Sequence, residues 1–520
     1  VLASLLSATI HGLDGRPVRV EVDVAPGLPG FTIVGLADTA LQEARERVRG
    51  AIRNSGYEYP PRRITVNLAP ADLRKGGASL DLAIALGILV GSEQIRAAGR
   101  WAVLGELSLS GDLRHVAGLL PMVDALARRR VKRVMVPADG VEEAALAGGV
   151  EVVPAATLTE AATLLRASRR GSARSVPPRV ELAEEVSLGA DAAGEGTLGE
   201  PAVPDLAEVR GQLEARRGVE IALAGGHCLV MVGPPGSGKT LLARTIPGLL
   251  PPLGDDEARV ATIVASVAGS SPVRGLVRRR PFRAPHHTIS YAAMVGGGPQ
   301  LAPGEVTLAN DGVLFLDELP EFDRATLEAL RQPLEDGKVA IARVGRAAVF
   351  PARFQLVAAM NPCPCGLAAE GDGRCRCRPG LAESYAGRVS GPLRDRIDLW
   401  VNMPRVAPAE YVAAASPETS ADVAARIVAA RRFQMSRQGC LNSRLTGRAL
   451  RAVCGLSASA QAHAVRLADL DGWSARGTER LLRVSRTAAD LAGDERVDRS
   501  HLDEAARFRS RGSELGRRAG

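Results

Sequence analysis

The sequence predicts an α/β fold in three parts: an N-terminal α/β domain, a central domain built on a parallel sheet, and an all-α C-terminal region. Three observations carry that prediction. Strand-like and helical runs alternate over residues 1–165, and a buried strand, a glycine loop and a helix follow one another in "LVMVGPPGSGKTLLARTI". From residue 406 onward the chain is helical in pattern and rich in Ala and Arg.

Within residues 1–165 the strand-like runs are "VRVEVDV", "RITVNLAP" and "VKRVMVP", and the helical ones are "ALQEARERVRGAIRNSG" and "SLDLAIALGILVG". The pattern dissolves over residues 166–204, where Arg, Gly, Ser, Pro and Glu dominate with little apolar periodicity, as in a linker. Residues 205–405 alternate strands, glycine-rich loops and helices, and no internal repeat stands out. The 520 residues, 46% hydrophobic and 24% charged, suffice for several cores. No apolar run approaches the roughly 20 residues that cross a bilayer, and "VLASLLSATIHGLDGRPV" lacks the basic and apolar regions of a secretory signal. A cytoplasmic protein with no membrane partner is expected. Seven cysteines, an odd number without an export signal, argue against a disulfide framework. The net charge of +8 favours an anionic partner.

The glycine loop has the spacing G-x-x-x-x-G-K-T. Gly233, Pro234, Pro235, Gly236, Ser237 and Gly238 form a curled segment whose N–H groups face phosphate oxygens at a helix N-terminus. Lys239 is then positioned for β/γ-phosphates and Thr240 for Mg²⁺, so ATP and Mg²⁺ are the expected cofactors. A nucleotide site also needs carboxylates. "GVLFLDELPEF" supplies Asp317 as the metal-side acid and Glu318 as the base that polarises water, both at the end of an apolar strand. An isolated acidic pair there is often a solvated turn, and its pairing with a phosphate loop is what makes it catalytic. Asn361, at the tip of the strand "FQLVAAM", reads either as a γ-phosphate sensor or as an ordinary turn residue.

Two segments carry charge of one sign. No Asp or Glu lies between Glu257 and Glu305, while Arg278, Arg279, Arg280 and three other arginines accumulate there. From Gly337 to Ala369 the only charges are Lys338, Arg343, Arg346 and Arg353, in a stretch that reads as a β-hairpin with basic residues at its turn. Both segments suit DNA binding through the phosphate backbone, single-stranded or branched; the alternative is solvated loops or subunit contacts. Aromatic residues are 3% of the chain, so base stacking is not expected to dominate and binding should be indifferent to sequence.

The motifs "GPPGSGKT", "FRAPHHTIS", "GEVTLANDGVLFLDELPEF", "MNPCPCG" and "SGPLRDRIDL" resemble the magnesium-chelatase-like AAA+ ATPases, in the YifB/ComM branch, over nearly the whole chain. The resemblance implies a Lon-protease-like α/β domain at 1–165, an AAA+ core at 205–405 with a Cys-rich loop at 361–380, and a helical lid at 406–520. It further implies an ATP-driven ring motor, usually hexameric, of a branch linked to DNA branch migration in natural transformation. Arg396 matches the family's arginine finger, with Arg394 as a second candidate where the family commonly has Leu. Arg476 matches the second sensor, with Arg483 and Arg486 as rivals, and Gln212 falls in the adenine-side segment. A metal-chelatase or protein-remodelling motor is the alternative reading, although chelatase motor subunits lack the N-terminal domain.

Cys363, Cys365, Cys375 and Cys377, in a C-x-C-x₉-C-x-C pattern, offer the four ligands of a structural Zn²⁺; unliganded or redox thiols are the other reading. In the Lon-like domain Ser79 falls near the position of a nucleophile. The lysine that a Ser–Lys dyad requires is Met122 here, and no Lys lies between Lys75 and Lys132, so peptidase activity is not expected.

Overall fold

Two separate sheets organise the chain. The computed structural model describes residues 2–35, 39–71, 78–166, 203–269, 271–298, 301–343, 346–368, 374–407 and 418–514. Most of the expected linker at 166–204 lies outside them.

The first sheet has seven strands in the order Gly30–Val34, Arg63–Ala69, Asp14–Ala25, Leu2–His11, Ala102–Val103, Arg133–Pro137 and Glu151–Ala155. Its central hairpin alternates: Val18, Val20, Val22 and Val24 are buried while Arg19, between two of them, faces solvent, the period of a half-covered sheet. The helix Asp81–Gly91 is apolar all round and buried all round, as it must be to sit inside that core.

The second sheet is parallel throughout, in the order Phe282–Arg283, Val313–Leu316, Gln355–Met360, Leu229–Val232, Leu399–Asn402. It is covered on both faces, so its strands read as unbroken apolar runs. Leu229 and Met231 point into a core shared with the helix Leu213–Gly225 and the C-terminal helices, while Val230 and Val232 point into a core with Met294, Leu327 and Phe350. The first strand of this sheet in chain order, Leu229–Val232, lies between strands that come later. That reversal of order opens a crevice at the carboxyl ends of the strands, where ligands of such sheets bind.

Five helices close the chain: Ser420–Gln438, Gly447–Cys454, Ala458–Asp471, Ala475–Ala492 and Arg499–Glu514. The basic hairpin forms as expected, with Lys338–Arg343 paired to Arg346–Pro351 and Arg343 directly opposite Arg346. Among the described residues no helix is long and apolar enough to cross a membrane.

The two sheets meet through helix Leu119–Arg128, which packs on helix Asp255–Ala268. Asp124 takes an ion pair from Arg259 at 2.9 Å, and Ser266 donates to the buried Glu143 carboxylate at 2.6 Å. Burial alone would raise the pKa of Glu143. Hydrogen bonds from His115, Ser266 and the backbone N–H groups of Val273 and Leu120 outweigh it and hold the group below the ordinary carboxylate range.

Candidate functional site

The phosphate loop, the acidic pair Asp317 and Glu318, and Asn361 sit together at one edge of the parallel sheet. The loop after Val232 turns away because Gly236 and Gly238 adopt positive φ, and Gly233 has no room for a side chain: a Cβ there would lie 2.2 Å from the Met403 carbonyl oxygen. Lys239 opens the helix Lys239–Leu249. Its ammonium is nearly enclosed and donates to the carbonyls of Gly233 and Pro234 at 2.7 and 2.8 Å and to Asn361 Oδ1 at 3.2 Å. Burial lowers its pKa from the usual lysine value, while Asp317 and Glu318 pull the other way. Thr240 donates its hydroxyl proton to Asp317 Oδ2 at 2.8 Å. Three strands separated by up to about 120 residues thus converge on one cradle, and a divalent cation fits between Thr240 and Asp317.

Glu318 has φ +55°, a conformation that costs a non-glycine residue about 1–2 kcal/mol and that recurs at functional sites. The turn lifts its carboxylate out of the strand, half exposed, to 3.2 Å from His287 Nδ1. His287 stacks against His286 and stands edge-on to Phe322. His287 had no role assigned from sequence. Its signal was the His pair in "FRAPHHTIS", a loop one strand away from Asp317.

Gln212 precedes the helix Leu213–Gly225 with φ +55° and donates to the carbonyls of Ser237 in the phosphate loop and Pro404. Its Oε1 is buried without a partner. The four thiols of Cys363, Cys365, Cys375 and Cys377 come together within 4.8 Å of one another. The separations among Cys363, Cys365 and Cys375, 3.4, 3.6 and 3.9 Å, bracket the roughly 3.8 Å that tetrahedral Zn–S bonds of about 2.3 Å require. Backbone N–H groups of Leu367 and Arg376, with Cys363, draw Cys365 down to about 6. Cys377 is pushed up to about 12 by the Cys365 thiol, burial and the other sulfurs, against a lowering backbone hydrogen bond at Cys365. This cluster lies directly on the phosphate loop, because a Cβ on Gly366 would come 2.3 Å from Pro235 Cδ.

Arg396 and Arg476 lie elsewhere. Arg396 precedes the strand Leu399–Asn402, whose Leu399 aligns with Leu229, so it stands at the amino edge of the sheet, opposite the phosphate loop. It pairs with Glu335, donates to the Pro392 carbonyl and keeps a buried Nε without a partner. Arg394 instead stacks over Trp400 and is partly buried. The helix Ala475–Ala492 also follows that amino edge: Arg480 approaches Asp398 at 3.8 Å and Thr487 meets His227 at 2.8 Å. Arg476 is exposed in the first turn of that helix. The rivals are committed to packing. Arg483 donates to the Leu445 carbonyl, and Arg486 is fully buried against Asp490.

The basic segments divide similarly. Arg280 is a correction: it donates to the carbonyls of Pro251 and Asp311 and pairs with Glu257, so it holds the loop together and does not offer charge to a polymer. Arg278 pairs with Asp255 on the surface, and Arg279 is exposed. Lys338 is exposed at the base of the hairpin, whereas Arg343 and Arg346 flank its turn. Ser79 is buried and donates to the Ala8 carbonyl at 3.1 Å, and Met122 is buried.

Residues 205–411 match the family described as magnesium chelatase, subunit ChlI; residues 20–140 match subunit ChlI of Mg-chelatase, and residues 417–509 match its C-terminal region. The chain is 42% identical over 503 residues to the uncharacterized protein YifB of Escherichia coli, covering 96% of this chain and 95% of that one. It is 40% identical over 513 residues to the competence protein ComM of Haemophilus influenzae, covering 98% and 97%. A shorter stretch of 140 residues is 26% identical to Lon protease 1 of Hydrogenovibrio crunogenus, covering 26% of this chain and 17% of that one. With its site geometry and its near-full-length relatives in agreement, the chain belongs to the magnesium-chelatase-like AAA+ family, in the YifB/ComM branch.

Proposed function

We propose that the protein hydrolyses ATP and couples it to movement along DNA as a ring of identical subunits, six by family likeness, acting in branch migration or strand separation. The observation that carries the reading is the convergence of Lys239, Thr240, Asp317, Glu318 and Asn361 at one sheet edge. Lys239 exchanges its loop carbonyls for phosphate oxygens, and Asn361, already its partner, senses the γ-position. Bound Mg²⁺ supplies neutralisation of phosphate charge between Thr240 and Asp317. Glu318 orients the attacking water, with His287 fixing its carboxylate. The unpartnered Oε1 of Gln212 is suited to accept from an adenine amino group.

Because Arg396 and Arg476 occupy the opposite edge, their partner is the ATP site of the adjoining subunit. A finger acting in trans typically contributes 10³–10⁵ in rate. The pairing of Arg396 with Glu335 is then the resting arrangement of an unassembled subunit. Cys363, Cys365, Cys375 and Cys377 would hold Zn²⁺, which would crosslink the loop beside the phosphate loop.

DNA as the client rests on the hairpin with Lys338, Arg343 and Arg346, on Arg278 and Arg279, and on the competence role named for the ComM relative. The test is the ATPase rate without DNA, with single-stranded DNA and with a four-way junction, each at low and moderate salt. Stimulation that fades with salt supports the reading. Vigorous turnover indifferent to every DNA would overturn it in favour of a chelatase-type or protein client.

A further inference from the structure

A cavity of about 890 Å³ opens on the N-terminal sheet, between its central hairpin and the helix Leu119–Arg128. We propose that this groove binds the phosphate backbone of a nucleic-acid strand and forms one continuous track with the basic hairpin of the ATPase core. The proposal takes its polymer from the reading above, while its site is a different one.

The groove is lined by Arg16, Arg19, Arg128 and Arg129 against a single lining carboxylate, Glu21. Strand alternation puts Arg19 and Glu21 on the face away from the valine core, and the end of the helix brings Arg128 and Arg129 alongside. Glu21 accepts a hydrogen bond from Asn67 at 2.8 Å. Asp14 pairs with Arg16 at 3.4 Å where both are largely exposed, and Asp124 is shared between Arg128 and Arg259. Neither Arg19 nor Arg129 pairs with a carboxylate among the described residues, so two exposed guanidinium groups face the groove unneutralised. A basic residue at a helix end is ordinary for Arg128, since it complements the helix dipole. That explanation does not reach Arg16 or Arg19, which come from a strand.

Continuity with the core selects the ligand. His11 lines the groove and lies 3.1 Å from the Ala347 carbonyl, in the outer strand of the basic hairpin. A Cβ on Gly12 would be 3.1 Å from Ala348 Cβ, so the turn of the first hairpin rests on the second with no gap. A strand held at Arg343 and Arg346 thus has cations ahead of it on the neighbouring domain. Among the described residues no Phe, Trp or Tyr lines the groove, which fits a grip on phosphates without base stacking.

The experiment is fluorescence anisotropy of a labelled single-stranded oligonucleotide with the full chain over a salt series. Arg19→Ala combined with Arg129→Ala should weaken binding at least tenfold at moderate salt and reduce the slope of log affinity against log salt by about 1.4, two contacts at about 0.7 each on a single strand. Arg19→Lys combined with Arg129→Lys should retain most of the affinity, and the ATPase rate without DNA should be unchanged in both. Unaltered affinity and slope in the alanine variant, with wild type binding normally, would overturn the groove alone. Failure of the wild type to bind DNA would overturn the proposed function along with it. Binding of polyglutamate with equal affinity and equal sensitivity to the variant would replace the nucleic acid by an acidic polypeptide.

Discussion

Gly366→Ala tests whether the thiol cluster and the phosphate loop act as one unit. Gly366 has φ +80°, and the added methyl would sit 2.3 Å from Pro235 Cδ and 2.8 Å from Cγ. An ordinary contact is about 3.5–4.0 Å, so the two segments must part by more than an ångström. The proline ring is fixed to the phosphate-loop backbone and cannot swing aside as a long side chain would. Displacement of that size at a reacting centre costs on the order of 10²-fold in rate. The backbone strain of a left-handed alanine adds about 1–2 kcal/mol, and it is separable. Gly380 has φ +79° with nothing within 4 Å of its Cβ, so Gly380→Ala carries the strain without the collision. The assay is steady-state ATPase with binding of a fluorescent ATP analogue, at matched zinc content. Gly366→Ala should lose about 10²-fold in kcat/KM while Gly380→Ala stays near wild type. Equal activity of both would refute the coupling, since the loop would then tolerate the shift.

Three further outcomes are expected. An Arg396→Ala protein and a Glu318→Gln protein, each deficient alone, should regain part of the ATPase rate when mixed, because each supplies the edge that the other lacks; verified mixed rings without recovery would count against action in trans. Protein purified without chelators should carry close to one zinc per chain by elemental analysis, and replacement of Cys363 and Cys365 by Ser should abolish it together with much of the ATP affinity. For the contact between the two sheets, Glu143 has a depressed pKa, so its contribution is complete above the unfolded carboxylate value of about 4.3 and is lost as pH falls through the folded value. Thermal unfolding of Glu143→Gln should therefore show lower stability at neutral pH and a flatter acid limb, and an acid limb identical to wild type would assign that limb to other groups.

The parts of the site legible in the sequence are those fixed by local chemistry. Glycines that need positive φ, a lysine at a helix start and carboxylates at the tip of an apolar strand announce themselves within a few residues. What stayed hidden depends on partners distant in the chain. Arg280 sat in an acid-free window and read as free charge, yet Glu257 lies 23 residues before it and Asp311 lies 31 after. A count of neighbouring charges cannot see across a folded loop. The helix Ala475–Ala492 was legible as part of the helical C-terminal region. Amphipathic period tells which face is buried but not which edge of a sheet it lies along, so the location of Arg476 could not be read. His287 was missed because its significance depends on the turn at Glu318 that lifts a carboxylate toward it.

The separation of these groups constrains how a ring must work. The sheet strands between the two edges are four to six residues long, and at about 3.3 Å per residue they put roughly 13–20 Å between the phosphate loop and Arg396. No side chain spans that distance, so on the proposed assignment of Arg396 as a finger its target is the site of a second subunit. The same strand that ends at Asn361 continues through the thiol cluster and returns to the amino edge at Arg396. On the same proposal, a change sensed at the γ-phosphate passes along about 35 residues of one chain, from Asn361 to Arg396. Clamping the middle of that segment with a metal removes slack from it, and slack is what would let one subunit hydrolyse without informing its neighbour. On this argument the zinc-free variant should retain nucleotide binding in assembled rings better than it retains cooperativity, and a Hill coefficient falling toward one while binding persists is the outcome to seek. Loss of both in equal measure would make the cluster a support for folding alone.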